Sequence, residues 1–459
     1  MISCPAAKPM RCVKPSIATV SPSRTRSAIA SRIEATFGIR LNSMQPRGAA
    51  PSPSRRTEEG SLDTPPGVGW APLARGLWFV AMAVFLVTIA IGIVNGLDLY
   101  TFDRNELLTH VHSGTLGWIT LSLVAASVWL ARGFDRRLGI ALGATIPVYV
   151  AAFYLAIPWL RAVIGAVLLV EIVWLVAWAW GVYRAHRSLP SLALAKGFTT
   201  FTYGAIIGVL RQIQLAGGPN VFPDSADLVG AHFSAMVFSY LILVAMGLIE
   251  WRVLGTTGQP RLGLLQLVTL FVGGAIFSFT LLFLSGVALK AAGGIDILVD
   301  IAAVALFAVR VLPRALRTDW RSGGGRHIAM SALFVPVAMA TFLYVVSKFI
   351  GDPKLSTDPT PIAGIITASD HAAFIGVVTN LVLGLVNVLS SDRRDRWPWA
   401  DQIAFWGTNA GLVIFLAGLI LESSPVKEVG APLMGVSLLV GLAALAMRLR
   451  DSNLSAAEA

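Results

Sequence analysis

Charge is scarce in this chain. Asp, Glu, Lys and Arg make up 13% of the 459 residues and apolar residues 55%, which leaves too little polar surface to cover a water-soluble fold of this size. Cysteine is nearly absent too. Cys4 and Cys12 are the only two, and both lie in a polar N-terminal stretch, which excludes a disulfide framework or a thiolate metal site within the apolar segments. Any metal chemistry there has to use histidine. Phosphate loops are missing as well: Gly273, Gly274 and Gly286 have no strand-to-helix context around them and read as close helix contacts. The bases outnumber the acids, 36 to 25, for a net charge of +11. In a soluble protein this would suggest nucleic acid. Here the bases fall between apolar runs and on the N-terminal stretch, so they are topology signals and nucleic acid is excluded as a partner.

What the sequence has in abundance is apolar runs of about 20 residues, each long enough to cross a hydrocarbon core of roughly 30 Å as a helix. They fall near 76–97, 111–131, 139–159, 162–183, 192–214, 227–249, 263–289, 294–312, 328–350, 371–390, 402–421 and 430–448. Open strands cannot face lipid, so each is expected to be helical. The chain thus divides into a disordered basic extension (1–72), a twelve-helix transmembrane domain (76–450) and a short tail (451–459). The extension is rich in Ser, Pro, Arg and Ala and has no apolar core of a secretory signal. A bacterial inner membrane is the favoured location, and an organelle membrane, with the extension as transit peptide, the alternative.

The loops test the count of spans, because basic residues gather on the cytoplasmic side. Arg132, Arg136 and Arg137 follow the second run; Arg184, Arg187 and Lys196 the fourth; Arg252 and Arg261 the sixth. Arg310, Arg314, Arg317, Arg321 and Arg326 follow the eighth, Arg393, Arg394 and Arg396 the tenth, and Arg448 and Arg450 the last. The intervening loops hold acids instead: Asp98, Asp103 and Glu106, then Asp224 and Asp227, then Asp352 and Asp358, then Glu422 and Glu428. The alternation is regular and places both termini in the cytoplasm.

Six histidines occur. His186 and His327 sit among arginines at cytoplasmic helix ends and read as solvated or interfacial. The other four open the second, sixth and tenth runs: His110 and His112 in LLTHVHSGTLGW, His232 in LVGAHFSAMVF and His371 in ASDHAAFIGVV. All three helices enter from the outer side, so the histidines share a depth within the first turn or so. An isolated histidine there is most often an interfacial hydrogen-bonding residue. Three at matching depth, four helices apart, instead suggest three related groups of four helices and a shared role. Imidazoles without thiolates suit haem iron or copper. His110 and His112 lie about 200° apart around a helix, so only one faces any common site. The likeness of His112 and His371, each followed five residues later by glycine, favours His112.

Two carboxylates lie inside apolar runs, Glu171 in LLVEIVWL and Asp300 in ILVDIAAV, where a charge is costly and faces a cavity or a partner. Each reads either as part of a proton path or haem surround, or as a protonated carboxyl bonded to a neighbouring helix.

Twelve helices, cytoplasmic termini, three groups of four and outer-side histidines on the second, sixth and tenth helices together resemble subunit I of the haem-copper oxidases. The cbb-type oxidase and nitric-oxide-reductase branch is nearest, since Arg104 precedes His110 much as an arginine precedes the second-helix histidine there. The resemblance covers about Gly76 to Arg450. It implies one haem b held by His112 (or His110) and His371, with His232 at the position of a copper or non-haem iron ligand; Arg104, with Asn105 and Glu106, reads either as neutralising haem propionates or as an interfacial ion-pair cluster. The sequence departs from the family in its seventh run, GLLQLVTLFVGGAIFSFTLLFLSGVAL, which lacks the histidine pair of the copper site, and in its tenth, which holds one histidine where the family has two. A single remaining imidazole hardly makes a copper site. The resemblance therefore implies a membrane haem protein for electron transfer or for handling a diatomic gas such as nitric oxide, with a redox partner or gas ligand, and not a proton-pumping oxygen reductase. Any enzyme activity would be that of a haem-dependent oxidoreductase. The alternative is a secondary transporter of a small solute, also often twelve-helical; Pro147, Pro158 and Pro336 could break its helices.

Overall fold

The computed structural model describes residues 69–255, 258–352, 355, 359–393, 396–452 and 454. Nearly all of the basic extension, Asp358, Arg394 and most of the C-terminal tail lie outside the described residues.

Ten of the twelve apolar runs fall inside a helix to within a residue, while 139–159 and 263–289 run across the breaks at 155–157 and 284–285; no strand occurs among the described residues. In chain order the helices are α1 (Trp70–Gly96), α2 (Arg104–Ala131), α3 (Arg136–Tyr154), α4 (Pro158–Ala185), α5 (Leu189–Leu215) and α6 (Leu228–Leu254). They continue as α7 (Arg261–Phe283), α8 (Gly286–Ala315), α9 (Gly324–Gly351), α10 (Thr360–Leu389), α11 (Pro398–Ile420) and α12 (Ser424–Asp451). Eleven of them are long and apolar enough to cross a membrane, which makes this an all-α, multi-pass membrane architecture. The exception is α8, where 294–312 was expected to span. It is 30 residues long, but Lys290, Asp296, Asp300 and Arg310 interrupt its apolar character.

Local chemistry sets the helix starts. Asp103 caps α2 by accepting from the amides of Asn105 and Glu106, and Glu106 returns a bond to the Asp103 amide. That reciprocal cap satisfies orphan donors of the first turn. Asp135 and Asp227 cap α3 and α6, and Ser188 pairs with Ser191 at the start of α5.

Three helices form the centre. In α2, α6 and α10 the most apolar stretch is 78–83% buried within the protein, against 33–61% for the other spans. Three helices lie between each of them and the next. Each contains a π-helical segment: Ser113–Thr120, Val237–Ile242 and Ala372–Thr379. The segment of α10 packs against those of α2 and α6. Such segments insert an extra residue into the α-helical ladder and often occur at functional sites. Glycine permits the close approach: a Cβ on Gly117 would sit 2.2 Å from Val84 Cγ1, and one on Gly376 2.3 Å from Phe334 Cδ1. Trp118 is fully buried, stacks on Phe85 at 4.7 Å and donates from Nε1 to Thr379 Oγ1.

Toward the basic end of the bundle, polar clusters tie helices together. Arg310 holds buried Glu250 through two bonds of 2.8 and 2.9 Å, and Gln266 bonds to both. Arg326, fully buried, donates to Asp401 Oδ2 at 2.6 Å. His327 departs from the sequence expectation: it is 2% exposed, 3.4 Å from Asn380 Oδ1 and edge-on to Phe405. The helix continues past its arginine, so α10 and α11 cover it. His186 is exposed, as its position among arginines suggested.

Candidate cofactor site

The four histidines of the second, sixth and tenth runs lie on the three central helices, further from the helix starts than expected. His110 and His112 are the seventh and ninth residues of α2, His232 the fifth of α6 and His371 the twelfth of α10. The helices α2 and α10 begin 7 and 11 residues before the runs at 111 and 371 because partly polar turns precede them, that of α2 capped by Asp103, whereas α6 begins at Leu228, within a residue of its run.

His110 and His371 meet across α2 and α10. Their ring centres are 6.5 Å apart and their planes 25° from parallel. Phe415 of α11 lies edge-on to His371 at 5.0 Å. His110, and not the expected His112, is therefore the second-helix partner of His371. His112 turns to the opposite side of α2, where it stacks on Phe153 of α3 at 3.8 Å and lies edge-on to Tyr149. The helical spacing of the two histidines required this divergence, but did not say which faced α10.

Each of the four rings has Nδ1 against a backbone carbonyl. His110 contacts Thr88 O of α1 at 3.0 Å and His232 contacts Gly204 O of α5 at 2.8 Å. His112 and His371 contact carbonyls of their own helices, Leu108 O at 2.7 Å and Thr367 O at 2.8 Å. A carbonyl can only accept, so Nδ1 carries the proton and the neutral ring keeps its lone pair on Nε2. Metal-binding histidines are oriented in this way. Glycine makes room for two of the rings: a Cβ on Gly92 would lie 3.2 Å from His110 Cε1, and one on Gly208 3.1 Å from His232 Cε1. Thr88 also bonds through its hydroxyl to Ser113, the residue after His112.

Two imidazoles that bind one metal ion from opposite sides, each at about 2 Å, have their ring centres about 6 Å apart. The His110–His371 separation fits that requirement. Among the described residues no group of three or more His, Cys, Asp or Glu side chains is placed to hold a bare metal ion. A cofactor whose iron already has four ring-nitrogen ligands needs only two from the protein, so a haem fits this donor set better than a lone ion.

Arg104 is exposed at the first position of α2. The buried cation of this region is Arg161 of α4, 4% exposed, which sequence reasoning passed over. It donates to Asn105 Oδ1 and to the carbonyls of Ala152 and Phe153, and lies 4.8 Å over the Phe153 ring. Of the embedded carboxylates, Glu171 accepts from Thr145 of the neighbouring helix at 2.7 Å. Asp296 and Asp300 face α7, where a Cβ on Gly273 would meet their Oδ1 atoms at 3.0 and 2.6 Å. The buried Oδ1 of Asp370, beside His371, has no hydrogen-bond partner among the described residues.

No protein-family model matches this chain, and no curated protein matches it significantly. The case for its function therefore rests on its own geometry.

Proposed function

We propose that this chain is a membrane haem protein, resembling subunit I of the haem-copper oxidases, in which His110 and His371 are the axial ligands of one b-type haem. The observation that carries this reading is the pairing itself: two imidazoles on helices far apart in sequence, 6.5 Å between centres, each with Nδ1 committed to a carbonyl. When bound, a haem with two imidazole ligands supplies a one-electron iron couple with no open coordination position. The residues around it hold both rings in orientation: Thr88 O and Thr367 O fix the tautomers, Gly92 leaves the ring its space and Phe415 flanks it. Electron transfer is accordingly favoured over gas handling, which would require one imidazole to leave. The reading further places the protein in a bacterial inner membrane with both termini cytoplasmic, as three related groups of four helices. No step through copper is assigned, because α7 contains no histidine.

A reduced-minus-oxidised visible spectrum of the purified protein, with haem extracted and assayed as its pyridine complex, tests the proposal. Loss of the same b-type haem in both His110→Ala and His371→Ala supports it. Colourless protein from haem-replete cells overturns it. A secondary transporter would then lead, on one observation: Asp296 and Asp300 lie one turn apart in α8, 3% and 2% exposed.

A further inference from the structure

The other two histidines of the central helices repeat the arrangement of the first pair. Count back from the last π-helical residue of each central helix, Thr120 in α2, Ile242 in α6 and Thr379 in α10. His110 and His232 each stand ten residues before that point, and His112 and His371 each stand eight before it.

The contacts follow the same classes. At the ten-residue position, Nδ1 bonds to a carbonyl of the preceding helix, Thr88 O or Gly204 O. Four residues beyond that carbonyl lies the glycine against which the ring packs, Gly92 or Gly208. At the eight-residue position, Nδ1 bonds to the carbonyl four residues back in its own helix. The side chains two residues before the end correspond as well. Trp118 of α2 donates to Thr379 of α10 at 3.0 Å, and Tyr240 of α6 donates to Thr120 of α2 at 3.1 Å. Thr120 and Thr379 both turn their hydroxyls to the carbonyl five residues back.

These correspondences describe one operation that carries α2 onto α10 and α6 onto α2. It takes the pair His232–His112 onto the pair His110–His371. We infer that His112 of α2 and His232 of α6 are the axial ligands of a second iron porphyrin, related to the first by this pseudo-threefold rotation. The inference rests on the first pair holding a haem. Tyr240 joins α6 to α2 through Thr120 as Trp118 joins α2 to α10 through Thr379, so the two pairs belong to corresponding helix contacts. Arg161 and His112 both pack against the Phe153 ring, and the hydrogen bonds of Arg161 go to neutral acceptors. A positive charge so placed suits the carboxylate edge of a porphyrin. The third step of the rotation falls on Ser369 and Ser234, both buried, and a serine hydroxyl is not an axial ligand of the kinds haem proteins use. The structure therefore assigns two sites and not three.

Haem stoichiometry of the full-length purified protein decides this. The wild type is expected to yield two haems per chain, and His110→Ala and His232→Ala one each. Redox titration of each variant should leave one of the two wild-type waves. His232→Met guards against a variant that does not accumulate: a thioether ligand raises the potential of an iron that had two imidazoles, so one wave should move up and the other stay. One haem per chain, lost in His110→Ala and retained in full in both His112→Ala and His232→Ala, would overturn the second site while leaving the first. A colourless wild type would overturn both.

Discussion

His110 and His371 are separated by most of the chain, yet their rings stand 6.5 Å apart between α2 and α10, each with Nδ1 tied to a carbonyl. The two carbonyls come from different places, one from α1 and one from α10 itself. The carbonyl that orients the first ring is therefore supplied by helix packing, and that of the second by its own helix.

This difference has a consequence for Gly92. A Cβ there would lie 3.2 Å from His110 Cε1, so alanine needs only a small adjustment, whereas leucine displaces the ring. We expect Gly92→Ala to retain most of its haem and Gly92→Leu to lose at least half, with both accumulating in the membrane. Haem-to-protein ratio after purification checks it.

Trp118 joins α2 to α10 beneath the histidines. Trp118→Phe removes only the bond to Thr379, a loss of about 0.5–1.5 kcal/mol, since Thr379 keeps its contact with Phe374 O. Trp118→Ala also empties a fully buried site and should cost about 3–5 kcal/mol. Thermal unfolding in detergent, followed by loss of monodispersity, should rank the two in that order.

The Arg310–Glu250 pair is buried, with side-chain exposures of 11% and 1%. Arg310→Met strands a buried carboxylate and is expected to destabilise by about 3–5 kcal/mol. Arg310→Met combined with Glu250→Met removes both charges and should recover most of that loss. Equal instability of the single and double variants would mean that packing, and not charge, dominates here.

Orientation is testable with cysteines, because only Cys4 and Cys12 need be replaced first. Leu99, 71% exposed between α1 and α2, and Ser322, exposed between α8 and α9, mark opposite ends of the bundle. A membrane-impermeant maleimide should label Leu99→Cys in intact cells, and Ser322→Cys only in inverted vesicles. The reverse pattern would invert the proposed topology.

Much of the fold was legible because the bilayer leaves few options. An apolar run of sufficient length must satisfy its own backbone, so helix follows from composition. Helix boundaries were less legible. The run read as 111–131 belongs to a helix that starts at Arg104, and that read as 371–390 to one that starts at Thr360. Polar capped turns are invisible to hydropathy but are stable once Asp103 and Glu106 bond reciprocally. That cap places His110 and His112 in the second and third turns of α2.

The residues alone determined that this chain is built for lipid, that any metal chemistry depends on imidazole, and that His110 and His112 face opposite sides of one helix. Periodicity fixes the angle between two side chains on a helix, but not the rotation of that helix in the bundle. Only packing decided that, when Gly117 met Val84 and Gly376 met Phe334 at distances no larger residue permits. That close approach turned His110 toward His371 and His112 toward Phe153. It also buried Arg161 and His327, whose sequence surroundings are those of interfacial residues, because burial depends on which helices cover a position and not on its neighbours in the chain.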